Sequence, residues 1–384
     1  MTPLFPVARS HSPFPLACIV HLYIHVPFCG RRCSYCDFAI AVRRHTPSAE
    51  FADRALQEWA THLATSRWAE FPELATIYLG GGTPSRLDPT DLTRMLESII
   101  ADRPLAPGAE VTLEANPEDV TAAATRGWRQ AGINRVSLGV QSWNAEVLRW
   151  MHRSHSTADP ARSVAILRDA GLTNLSIDLI FALPDALQRD WRRDLDQALA
   201  LEPMHLSLYG LTVESHTPLG RWVERREARP APEPRYAEEF LLAHQVLGEA
   251  GFEHYEVSNY GRPGHRSLHN QAYWRRAPYL GLGPSAHSLV GRHRWWNIRE
   301  YAAWTRAVAE TGGSMAGEEQ LDSGALRLEQ LYLGLRTSDG VAESDLTPPT
   351  RERWVGAGWA STGSGRVRLT PEGWLRLDAL VASA

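Results

Sequence analysis

Three cysteines, Cys29, Cys33 and Cys36, fall within eight residues at the spacing C-x3-C-x2-C. Thiolates bind soft metals, and a short loop can direct three sulfurs at one centre. Structural zinc closes with four protein ligands, and no fourth cysteine is at hand. His25 could complete such a site, but a histidine on a strand is more often simply packed. A four-iron cluster normally takes four thiolates. Held by three, it keeps one iron open, which is useful only if another group binds there. A disulfide framework is disfavoured, because the chain has four cysteines and only Cys18 lies outside this group.

A second group of residues has the chemistry of a small-molecule pocket. In Gly80-Gly81-Gly82-Thr83-Pro84, glycine lets backbone approach a ligand closely, although a tight turn needs glycine just as much. Glu114, Gln141, Arg153 and Asp178 stand after or near apolar stretches. Singly, each reads as a surface residue or a helix cap. Together they supply donors and acceptors suited to a ribose, an adenine and a carboxylate.

A third constellation is His269-Asn270-Gln271-Ala272-Tyr273-Trp274, followed by Arg275 and Arg276. Neutral imidazole is a common axial ligand of heme iron, flat aromatic rings can stack on a porphyrin, and arginine pairs with propionates. On spacing alone the plainer reading is favoured, with His269 and Asn270 capping a turn and Tyr273 and Trp274 packing the open side of the fold. His287, in Ser285-Ala286-His287-Ser288, is a competing ligand candidate.

These groups need a scaffold, and the hydrophobic pattern supplies one. Segments 22–28, 75–80, 110–115, 134–140, 174–180 and 204–210 read as buried strands, alternating with helical spacing over 48–66, 89–102, 119–131, 144–150, 157–170 and 187–200. That alternation predicts an α/β fold with a parallel sheet, read as a partial (β/α)6 barrel whose chemistry gathers at the carboxyl ends of the strands. The expected division is a flexible leader over 1–20, the barrel over 21–220, an extension over 221–317 and a smaller C-terminal unit over 318–384. That last unit reads as helical and winged-helix-like, with a loop at Pro348-Pro349. The charged, proline-rich stretch 220–235 reads as a surface connection.

Composition narrows the function classes. The 384 residues carry a net charge of −4, which argues against a nucleic-acid binder working by bulk charge. All 40 basic residues are arginine, so lysine Schiff-base chemistry and a P-loop lysine are excluded. No stretch approaches the roughly 18 apolar residues of a membrane span. Prolines 3, 6, 13 and 15 weaken a signal-peptide reading of the N-terminus, and few cysteines fit a reducing cytoplasm.

With these residues in hand, the chain resembles the coproporphyrinogen III dehydrogenase-like family of radical S-adenosylmethionine (SAM) proteins, and within it the heme chaperones. The markers run from LYIHVPFCGRRCSYCDF through YLGGGTPSRL, TLEANPE, RVSLGVQSWN, SIDLIFALP, HLSLYGLTVE, HYEVSNY and HNQAYW to LGLGPSAHS. The resemblance implies that Cys29, Cys33 and Cys36 hold a [4Fe–4S] cluster. It implies that Tyr23, Tyr35, Gly82, Thr83, Glu114, Gln141, Arg153, Asp178 and Gly210 line the SAM site, and that His269, Asn270, Tyr273 and Trp274 form a heme motif. The dehydrogenases carry a further cysteine two residues after the third, where this chain has Phe38, and they have a longer N-terminal segment. Both features and HNQAYW favour a chaperone that carries heme to hemoproteins such as respiratory-chain components. The alternative is oxidative decarboxylation of coproporphyrinogen III in porphyrin biosynthesis. A homodimer and peripheral membrane association through a partner are compatible with the resemblance. Departures stand at His152, Ala182-Leu183-Pro184-Asp185 and Glu214-Ser215-His216-Thr217, where the family often has Gly, Gly-Leu-Pro-Gly and Glu-x-Gly-Thr.

Overall fold

The computed structural model describes residues 19–384 apart from 66, 67 and 69. Residues 1–18 of the expected leader, Cys18 among them, lie outside the described residues, whereas Ile19 already opens the first strand.

Twelve strands form one sheet: β1 (Ile19–Val26), β2 (Glu73–Gly81), β3 (Leu105–Ala115), β4 (Arg135–Gln141), β5 (Asn174–Phe181), β6 (His205–Gly210), β7 (Glu253–Glu256), β8 (Asn259–Gly261), β9 (Tyr279–Leu282), β10 (His287–Val290), β11 (His293–Asn297) and β12 (Met315–Gln320). The spatial order is β12-β11-β10-β9-β1-β2-β3-β4-β5-β6-β8-β7. Strands β1 to β6 are parallel and adjacent in chain order, the expected six-strand barrel. A seventh strand, β9, pairs in parallel with the free side of β1. Antiparallel strands extend both margins, and β12 and β7 do not meet, so the barrel stays open.

Helices α1 (Ser48–Leu63), α2 (Pro89–Asp102), α3 (Ala122–Gln130), α4 (Ala145–Trp150), α5 (Asp159–Asp169) and α6 (Trp191–Ala200) connect the first six strands. Polar side chains start several of them: Asp88, Thr121 and Asp190 each accept a backbone N–H of the helix that follows. Helices α7 (Pro218–Glu224), α8 (Glu233–Glu249), α9 (Leu268–Trp274) and α10 (Tyr301–Thr311) belong to the extension. The stretch expected as one surface connection over 220–235 is shorter than that, because Thr217 caps α7 and Leu219 and Gly220 are buried.

The period of two along the strands explains how the sheet has two different faces. Leu22, Ile24, Ile77, Leu79, Val111, Leu113, Val136, Leu138, Ile177 and Leu179 are all fully buried in one core cluster with helix residues such as Phe51, Leu96, Trp128 and Leu167. The alternate positions are polar: His21, Tyr23 and His25 on β1, Thr76 and Tyr78 on β2, Glu110 and Glu114 on β3, Ser137 on β4, Ser176 and Asp178 on β5. Apolar burial therefore fixes the register and turns the polar residues to the inside of the barrel.

Beyond the sheet, α11 (Ser323–Leu335), β13 (Val341–Ala342), α12 (Pro348–Gly356), β14 (Ala360–Gly363), β15 (Arg366–Leu369), α13 (Pro371–Trp374) and α14 (Leu377–Ala382) form the C-terminal unit, whose strands lie in the order β13-β15-β14. Pro348 and Pro349 are not a loop. They occupy the first turn of α12, where a missing N–H costs no helical hydrogen bond.

Candidate functional site

The cysteine loop leaves β1 and is closed at its base by Phe28–Cys29 pairing in parallel with Ala41–Val42. Its middle is tied down separately, since Ser34 N donates to Met151 O at 3.2 Å and Leu219 N donates to Ser34 O at 2.8 Å. All three thiols are half-buried and line one cavity of about 640 Å³ at the carboxyl ends of the barrel strands. Tyr35, Gly82, Thr83, Glu114, Gln141, Arg153, Asp178 and Gly210 line the same cavity. Eight of the nine residues expected around SAM are thus brought together with the cysteines.

Tyr23 is the exception. Its position on β1 shares a face with His25, its hydroxyl bonds His25 Nδ1 at 3.1 Å, and it borders a different cavity. His25 Nε2 donates to the Ala39 carbonyl at 2.9 Å, so both ring nitrogens are taken. Burial holds this imidazole neutral, with its pKa lowered to about 4. His25 is a packed residue rather than a zinc ligand.

Arg153 organises the cavity wall. Nη2 donates to Asn116 Oδ1 at 2.6 Å and to the Gly139 carbonyl at 2.8 Å, while Nη1 reaches Cys33 Sγ at 3.7 Å. Thr83 Oγ1 donates to Cys29 Sγ at 3.4 Å. Burial pushes the Cys29 thiol up and Cys36 to about 11, with the Thr83 bond and the Arg153 charge opposing the rise at Cys29. Glu114 accepts from Tyr78 OH at 2.8 Å and from Gly81 N at 3.1 Å. Removal from water still raises its pKa to about 7, with Asp178 adding to the rise. Burial also raises Asp178, against the hydrogen bonds of Ser137 and others. Asn116 and Tyr78 are not among the expected site residues, although they stand inside the TLEANPE and YLGGGTPSRL markers.

At Gly82 the expectation needs refinement. A Cβ there would sit 2.7 Å from the Pro27 carbonyl carbon, so the glycine lets β2 run close past the root of the cysteine loop.

A second cavity, of about 610 Å³, lies beside the first, and Asp37 and Phe38 line both. Tyr273, Trp274, Tyr279 and His287 contribute to its wall. His269 does not. It is 1% exposed, with Nδ1 bonded to Thr76 Oγ1 at 2.6 Å and Nε2 to Tyr273 OH at 2.9 Å. Its ring stacks on Tyr78, and burial holds it neutral. Asn270 lines neither cavity either. The motif is capped by Ser267, whose Oγ accepts from Asn270 N. Arg275 and Arg276, expected to meet propionates, turn the other way. Arg275 lies 3.6 Å from Asp339, Arg276 lies 3.1 Å from Glu329, and both line a further cavity against the C-terminal unit.

The sequence model of the Radical SAM superfamily matches residues 23–198. The heme chaperone HemW of Synechocystis sp. is 37% identical over 84% of this chain and 79% of that protein. HemW of Escherichia coli is 37% identical over 70% of each chain. The chain belongs to the HemW family of radical SAM proteins. A zebrafish relative, the mitochondrial radical S-adenosyl methionine domain-containing protein 1, is 34% identical over 83% of this chain and 73% of its own. Among solved structures, the coproporphyrinogen III oxidase HemN of E. coli, a radical SAM enzyme, superposes with a TM-score of 0.79 over 96% of this chain and 90% of its own, at 20% identity, which establishes the shared fold.

HemW family membership implies SAM and a [4Fe–4S] cluster, and the donor set fits both. Among the described residues no three His, Cys, Asp or Glu side chains are gathered tightly enough to hold a single metal ion. Three thiols spread around one cavity suit a larger cluster, in which each sulfur binds a different iron. The cavity is also roomy, and six carboxyl side chains and three arginines line it beside the thiols, Glu114, Asp178 and Arg153 among them. Two departures from the family pattern have a backbone explanation. His152 and Ala182 adopt φ of +58° and +54°, the left-handed region that glycine enters without strain, so glycine is the easier residue at each. His152 is accommodated with its ring edge-on to Trp222.

Proposed function

We propose that the chain is a heme carrier, binding heme in the second cavity and delivering it to hemoproteins such as respiratory-chain components in the cytoplasm or at a membrane. The observation that carries this reading is the adjacency of the two cavities, which share Asp37 and Phe38. The names of the HemW relatives support it. Cys29, Cys33 and Cys36 would hold the cluster, with Tyr35, Gly82, Thr83, Glu114, Gln141, Arg153, Asp178 and Gly210 around SAM. When bound, that pair supplies an electron donor and a source of a deoxyadenosyl radical.

The residues of the chain do the rest. Arg153 holds the loops after β3 and β4 together and places positive charge beside Cys33. Glu114 and Asp178 offer carboxyl groups that burial holds partly toward the neutral form and that a cationic ligand would draw toward the charged one. At the heme cavity Tyr273, Trp274 and Tyr279 present flat aromatic surface suited to a porphyrin. Phe38 is 63% exposed at the common wall, where the dehydrogenases have their further cysteine. No described helix is long and apolar enough to cross a membrane. A carrier must bind its cargo moderately, because a very tight complex cannot release it.

The test is handover. Intact protein loaded with one equivalent of heme is mixed with membranes containing a heme-depleted respiratory hemoprotein, and the recipient's spectrum is followed. The carrier reading expects transfer faster than heme leaves the protein in buffer alone. Transfer no faster than spontaneous release would count against it.

A further inference from the structure

The heme cavity needs an iron ligand, and the histidine that its sequence motif suggests is out of reach. Within the heme-carrier reading, on which this inference rests, we propose that His287 takes the iron. Tyr273, Trp274 and Tyr279 form the walls, and His269 is a positioning residue behind Tyr273.

An axial imidazole must be neutral, must have a free nitrogen and must face the ligand. His269 and His25 fail the second requirement, because hydroxyls or a carbonyl occupy both nitrogens of each. His21 is bonded to Thr76 within the core. His287 is exposed, lines the cavity, and makes no ring hydrogen bond within the described residues. Its ring is held instead by stacking on its cross-strand neighbour Trp296, centroids 5.8 Å apart at 27°. Partial burial and the nearby Arg294 lower its pKa, which keeps it neutral at pH 7.

The surroundings match a porphyrin with its acidic edge toward solvent. The apolar and aromatic wall comprises Tyr273, Trp274, Tyr279, Leu289 and Leu333. Arg299 sits at the mouth with its side chain 58% exposed and shares only Asp37, which leaves donors for a propionate. Arg294 is already committed to Glu319 and Glu329 and is not needed for this role. The exposure of His287 also suits a carrier. A recipient's own ligand can reach the iron as the His287 nitrogen leaves, one iron–ligand bond forming as one breaks with no change in oxidation state.

The test uses the intact, reconstituted chain with one equivalent of ferric heme, read by optical and electron paramagnetic resonance spectra. The wild type should show an imidazole-ligated heme. His287→Ala should lose that signature and bind heme roughly tenfold or more weakly. His287→Cys should convert the spectrum to that of a thiolate ligand while iron per cluster stays at the wild-type value, which separates the new thiolate from Cys29, Cys33 or Cys36 released by misfolding. His269→Gln should keep the imidazole signature. Survival of that signature in His287→Ala, or absence of a thiolate spectrum in His287→Cys, would overturn the assignment. A wild-type chain that binds no heme would remove the carrier reading itself and this assignment with it.

Discussion

The Tyr273 hydroxyl and Nε2 of His269 are hydrogen bonded at 2.9 Å, with their rings edge to face at 4.8 Å. Four residues apart on α9, they stand one behind the other. Tyr273 faces the second cavity, while His269 faces Thr76 and Tyr78 in the barrel interior. The pair links the wall of one cavity to the interior of the barrel that ends in the other.

Breaking this pair should cost stability. Tyr273→Phe leaves a buried imidazole nitrogen without its partner, at about 1–2 kcal/mol. His269→Ala adds a void and leaves the Tyr273 hydroxyl without its partner, while Thr76 keeps His21, for about 2–4 kcal/mol. Urea unfolding of the two single variants and the double variant should show a double loss smaller than the sum. Strict additivity would mean the bond contributes nothing.

The sequence shows this arrangement only in part, for physical reasons. The six parallel strands are legible because each alternates buried aliphatic residues with inward polar ones and is bounded by turns. Strand β9 is not, since Tyr279–Leu282 is four residues long, includes Gly281 and is followed by Gly283. The cysteine loop is recognisable from spacing alone. Tyr23 stands on the inward face of the barrel with His25, Glu114 and Asp178, and the second cavity, which it lines, forms only when β9 docks beside β1. Nothing local to HNQAYW reveals that His269 meets Thr76, a partner 193 residues away.

Glu114 should make stability depend on pH. Its folded pKa, near 7, lies above the ordinary 4.5. Between those values the native state holds the proton more tightly, so stability falls as pH rises from about 4.5 to 7 and the penalty persists above. Glu58, buried on α1 and bonded to Gly283 N and Asn297, also has a pKa near 7 and adds to the same fall. Glu114→Gln should therefore flatten only part of the profile and stabilise the cofactor-free protein at pH 8 by about 1–2 kcal/mol. Chemical denaturation at pH 5 and pH 8 checks this, and an unchanged difference between the two would exclude the group.

Arg153→Lys should weaken the cluster cavity. A lysine ammonium is a point charge and cannot reproduce the geometry of three contacts to Asn116, Gly139 and Cys33. SAM affinity should fall by roughly tenfold or more, about 1.4 kcal/mol. Iron content after reconstitution, read beside SAM binding by calorimetry, separates loss of the cluster from loss of SAM contacts. Wild-type affinity in this variant would show that Arg153 does not organise the site.

Phe38→Cys should not create a decarboxylase. Phe38 is mostly exposed at the wall between the cavities, so a thiol there adds one residue of the dehydrogenase pattern and leaves the rest of both cavity walls unchanged. Iron per chain and heme affinity should stay close to wild type. Release of decarboxylated product by this variant alone would make the residue at position 38 the switch between the two activities.

Running two assays on one preparation tests the central claim most directly. The anaerobically reconstituted, reduced protein is incubated with SAM and coproporphyrinogen III, and a parallel portion is titrated with heme. A heme carrier gives saturable binding near one heme per chain and no decarboxylated product. Turnover of coproporphyrinogen III without saturable heme binding would contradict it.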